Sequence, residues 1–110
     1  MSRATLSHRR PNITRLVQWD GHEFSVTIGL DPNTWQPAEV FADTAKGGQM
    51  QCTIADACVV VSIALQHGIT PAELAKSLGR VPQLWGDEGA TQPASPVGAV
   101  VEAIMQEVRE

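Results

Sequence analysis

The chain has 110 residues, with 12 acids against 8 bases, three histidines, two cysteines and no tyrosine, for a formal net charge of −4. That length holds one domain; it excludes a catalytic barrel, or a cofactor domain joined to a substrate domain. With 43% hydrophobic and 18% charged residues, it has the make-up of a globular protein, not of a collagenous, coiled-coil or wholly disordered one.

Residues 1–11 read as a flexible basic arm. Arg3, Arg9 and Arg10, with Arg15 just beyond, hold half of the eight positive charges and have no acid among them. Arg9 and Arg10 are therefore candidate contacts for an acidic partner or RNA. The rest carries four bases against twelve acids, which makes the body a poor phosphate binder. The N-terminus has charge but no apolar h-region. The longest strongly apolar run, residues 57–65, falls far short of the roughly 20 residues that span a bilayer. The expectation is a cytoplasmic chain with no membrane association, in which Asn12-Ile13-Thr14 carries no glycan.

Residues 12–110 read as a single domain. Residues 12–19 form a first strand, and Asp20-Gly21 is a two-residue hairpin signal. Residues 22–30 alternate cleanly: Phe24, Val26, Ile28 and Leu30 point one way, Glu23, Ser25, Thr27 and Gly29 the other. Asp31-Pro32-Asn33-Thr34 is a turn, and residues 38–42 complete an antiparallel meander of three strands. Lys46-Gly47-Gly48-Gln49 then leads into a helix. Glycines and a lysine before a helix N-terminus make these four residues a candidate contact for an anion or nucleotide.

Residues 49–67 form the central helix. Met50, Ile54, Ala57, Cys58, Val61, Ala64 and Leu65 recur at helical spacing, and Val59, Val60 and Ile63 widen the stripe almost all round. Such a helix is expected in the core, with a sheet on one side and helices on the other. Gly68 stops it. Thr70, Pro71 and Glu73 spell a capping box with proline at the first helical position, and Leu74 and Leu78 face inward until Gly79 ends this second helix. Residues 80–94 read as a loop, in which Trp85 is a candidate partner contact. Ser95-Pro96 opens a last helix with Val97, Val100, Val101, Ile104 and Val108 inward.

Chemistry-bearing residues are sparse. Cys52 and Cys58 lie six apart in one helix, about 9 Å along its axis and on different faces, so they cannot pair; both are expected to be buried thiols. They have no zinc-ligand spacing. Asp56 is expected on the helix's polar edge. His67 lies about 16 Å beyond Asp56 along that axis, too far for one catalytic site. Residues 67–79 could be half of a helix-turn-helix, but the next stretch, with Pro82, Trp85, Asp87 and Glu88, lacks the bases of a recognition helix.

These elements in this order resemble the TSCPD-type domain at the C-terminus of adenosylcobalamin-dependent (class II) ribonucleotide reductases and its free-standing relatives. The landmarks are Leu6-Ser7-His8-Arg9-Arg10, Phe24-Ser25-Val26-Thr27-Ile28-Gly29, Ala38-Glu39-Val40-Phe41-Ala42 and Lys46-Gly47. After them come Asp56-Ala57-Cys58-Val59-Val60-Val61-Ser62-Ile63-Ala64-Leu65-Gln66-His67-Gly68 and Ser95-Pro96-Val97-Gly98. The letters Thr-Ser-Cys-Pro-Asp that name the family do not occur. The resemblance implies a non-catalytic accessory or binding module in deoxyribonucleotide synthesis. It would be no enzyme on its own, would hold no cofactor, metal or catalytic residue, and would have a reductase or another protein as partner. Nucleic-acid binding by the arm and the helical hairpin is the alternative. The expected fold is α+β: a three-stranded antiparallel meander on a long core helix, with a helical hairpin and a C-terminal helix. Its sheet edges invite a homodimer.

Overall fold

The structure, a computed structural model, describes residues 11–44, 48–84, 86 and 88–108. Strands β1 (Asn12–Trp19) and β2 (His22–Leu30) join through Asp20 and Gly21, both at positive φ (48° and 76°). That is the turn whose twist matches the strands, and aspartate with glycine tolerates it. Strand β3 (Pro37–Thr44) pairs antiparallel with β2 in the order β1-β2-β3, with a register shift at Gly29/Leu30. It runs two residues past the predicted end.

Helix α1 (Gln49–Gln66) lies along β3. Its end is a full Schellman motif: Gly68 donates to the Leu65 carbonyl at 3.1 Å and Ile69 to the Ala64 carbonyl at 3.0 Å. Gly68 itself sits at φ 93°, where a side chain would be strained. Helix α2 (Pro71–Ser77) has the predicted box, with the Glu73 amide donating to Thr70 Oγ1 at 3.1 Å. It ends by running into extended backbone at Leu78 (φ −85°, ψ 148°), not through a left-handed Gly79. Helix α2 comes after α1 through a tight turn and packs on helix α3 (Pro96–Met105).

The stretch expected as a loop holds two short strands. Strands β4 (Arg80–Pro82) and β5 (Thr91–Pro93) pair as a short hairpin. Arg80 stitches it from one side, with Nε on Thr91 Oγ1 at 2.8 Å and NH2 on the Thr91 carbonyl at 3.0 Å. Periodicity cannot reveal three-residue strands.

The core joins one face of the sheet to α1 and α3. Phe24, Val26, Ile28, Leu30, Val40 and Ala42 meet Ile54, Cys58, Val61 and Leu65, closed by Val100, Val101 and Ile104. The α+β architecture is as predicted. The complete enclosure of α1 is not: one of its faces is bare.

Candidate binding surfaces

Helix α1 meets the sheet at an edge as well as through the core. The backbone groups of β3 that point away from β2 are bonded by side chains of α1. Ser62 Oγ accepts from the Val40 amide at 3.0 Å and donates to the Val40 carbonyl at 3.3 Å. Gln51 accepts from the Thr44 amide at 2.6 Å and donates to the Ala42 carbonyl at 3.3 Å. Gln66 donates to the Ala38 carbonyl at 3.0 Å. A strand edge left open is a template for pairing with other chains; here three polar side chains on one helix face close it. They also account for Ser62 and Gln66 being buried in an apolar helix. Strand β1 is the other outer strand, and among the described residues no strand pairs with its far side.

Beside these residues, the outward face of α1 is apolar and uncovered. Val59, Val60 and Ile63 are 54%, 67% and 37% exposed, and Phe41, on the outward face of β3, is 56% exposed. Phe41 and Val59 line a groove of about 410 Å³ between β3 and α1, together with Glu39 and Asp43. Asp56 is exposed, not buried, and shares this apolar outward face instead of lying beside Ser62. With 18 residues and a mean hydropathy of 1.2, α1 has the length and composition of a membrane span. Burial against the sheet accounts for the part of that apolarity carried by Ile54, Cys58, Val61 and Leu65, while Ser62 and Gln66 bond to β3.

A second concavity, of about 350 Å³, lies between β1, β5 and α3. Its lining is polar: Arg15, Gln18, Gln92, Glu102 and Gln106 surround a floor of Ala99 and Ala103. Arg15 is fixed by an ion pair to Glu107 at 2.7 Å. Arg80 meets Glu102 at 3.3 Å. Trp19 Nε1 donates to the Pro93 carbonyl at 2.9 Å, tying the hairpin to the sheet. Nothing in the spacing of these residues announces the cleft, since its walls are far apart in sequence.

The thiols differ. Cys58 is buried, but Cys52 is exposed, contrary to expectation. It occupies the margin of α1's bare face, so the helix turn that buries Cys58 presents Cys52 to solvent. Burial pushes the Cys58 thiol up to about 11, and the nearby Asp43 carboxylate adds to the shift; such a thiol is a poor nucleophile. Among the described residues no three His, Cys, Asp or Glu side chains converge as metal ligands.

Of the residues singled out in the sequence, Gly48 and Gln49 are exposed at the start of α1. Gly48 is the N-cap, at φ 89° and ψ −162°, with no side-chain cap. Arg9, Arg10, Lys46, Gly47 and Trp85 lie outside the described residues.

The sequence matches the family model for the TSCPD domain over residues 3–108. Comparison with curated proteins and with solved structures gives no match.

Proposed function

Because the chain belongs to the TSCPD-domain family, known from the C-terminal regions of class II ribonucleotide reductases, we propose that it works as a non-catalytic accessory module beside an adenosylcobalamin-dependent reductase in the cytoplasm. The observation that carries this reading is the match to the TSCPD family model over residues 3–108. The surfaces agree with a binding role. A polar cleft with ion-paired walls and an apolar groove with two acids in its lining both suit docking. In this reading Arg9, Arg10 and Trp85 contact the protein partner, and residues 46–49 receive an anion or a nucleotide phosphate.

Calorimetric titration of the chain into an adenosylcobalamin-dependent reductase, with and without dATP, tests it. Saturable binding in the micromolar range or tighter is expected, weakened by Arg9→Ala/Arg10→Ala. No heat and no co-sedimentation in either condition would overturn the reading. A companion titration with a short oligonucleotide separates it from the nucleic-acid alternative, whose affinity would fall steeply with salt.

A further inference from the structure

The bare face of α1 has an internal symmetry. Thr53, Asp56, Val60, Ile63 and His67 succeed one another at intervals of three, four, three and four residues, the spacing of a seam between two packed helices. The centre of the seam is apolar and exposed: Val60 and Ile63, with Val59 beside them. Its ends are an acid and an imidazole. The pair Val60/Ile63 and the pair Asp56/His67 are both centred on the same point of the helix, between Val61 and Ser62.

We infer that two copies of this chain associate through α1, with the helices antiparallel about a two-fold axis at that point. In such a contact each residue meets the one equally far from the axis on the other helix. One axis therefore sets Val60 on the partner's Ile63 and Asp56 against the partner's His67, each contact occurring twice. Because the two midpoints coincide, one two-fold axis serves both pairs, apolar side chain on apolar side chain and carboxylate facing imidazole. Phe41 and Val59 widen the apolar centre at one margin. Contiguous exposed apolar side chains on a small domain mark an interaction site, and β-branched residues on a helix gain nothing there from local propensity. The sheet edge from which a dimer was expected is, at β3, already closed by Ser62, Gln51 and Gln66. The outward face of the helix takes over the role. The contact uses α1 and its margin alone and needs no reductase partner.

Sedimentation velocity of the full chain across the micromolar range tests it, under reducing conditions because Cys52 is exposed. A reversible dimer is expected. Val60→Lys should weaken association by about tenfold or more, while circular dichroism shows an unchanged fold, since the side chain is exposed. Asp56→Lys and His67→Glu should each weaken the dimer, and the two together should restore it. Within one chain these residues are about 16 Å apart along the axis, so the rescue can arise only between chains. A chain that stays monomeric throughout overturns the inference. So does a dimer indifferent to Val60→Lys, which would place the contact elsewhere, such as the far side of β1. A double variant no better than the single ones overturns it too.

Discussion

Ser62 both accepts from and donates to Val40, closing the backbone of one β3 residue with a single hydroxyl at 3.0 and 3.3 Å. A hydroxyl can do both because it carries one donor and two acceptor lone pairs. Ser62→Ala removes both partners and leaves a buried N–H and C=O unpaired. That should cost about 1–3 kcal/mol, read as a drop in the urea midpoint with the slope unchanged. Gln51→Ala, at a part-buried site, should cost less. An alanine at 62 as stable as serine would show that the edge finds other partners.

Cys52 and Cys58 should separate in a thiol assay. At mildly alkaline pH, Cys52 should react at once and Cys58 only on unfolding, so Cys52→Ser should remove the fast phase. Two fast thiols per chain would contradict the burial of Cys58.

The raised pKa of Cys58 also sets a stability slope. The folded thiol holds its proton more firmly than the unfolded one, so stability is unaffected below the ordinary thiol value of 9.0. It declines as pH rises from there to about 11, because the unfolded chain releases the proton first. Cys58→Ala should flatten the decline of stability across that window, measured by urea titrations at successive pH values. An equally steep decline in the alanine variant would assign the slope to other groups.

The two ion pairs should be unequal. Arg15 and Glu107 are 36% and 14% exposed, Arg80 and Glu102 45% and 48%. A double-mutant cycle should give the first pair about 1 kcal/mol, largely independent of salt. The second should give less than about 0.5 kcal/mol and fade at high salt.

Trp19→Phe keeps the ring and removes the donor to Pro93. The expected loss is about 1 kcal/mol, with the effect concentrated on the β4–β5 hairpin. Hydrogen exchange at Val81 and Gln92 should accelerate more than at Val26 or Ile28. Uniform acceleration would mean that the indole tethers nothing in particular.

The clearest parts of the sequence were those governed by local chemistry. Asp20-Gly21 located the hairpin, the alternation from Phe24 to Leu30 located the inward face, and Thr70, Pro71 and Glu73 located the start of α2. What escaped depended on distant partners. In a helix apolar on most sides, periodicity does not say which side the rest of the chain covers, so Val60 and Ile63 read as core. Gln51, Ser62 and Gln66 share one face of α1, which is the mark of a common polar partner. Identifying that partner as the edge of β3 required knowing where the helix lands. The polar cleft was equally hidden, because Arg15, Gln92 and Glu102 meet only through tertiary packing. The family motifs were legible because they are short strings, not surfaces.

The closure of β3 by α1 has a consequence in time. Val40 precedes Ser62 by 22 residues, and Ala38 precedes Gln66 by 28. At 5–20 residues per second, synthesis takes roughly 1–6 s to supply those partners. During that interval a nascent meander, emerging from the ribosome, presents a sticky strand to its neighbours on the same polysome. The helix that ends this exposure is made next, without waiting for the last two-fifths of the chain. The order of the genetic message thus shortens the hazard that the sheet creates.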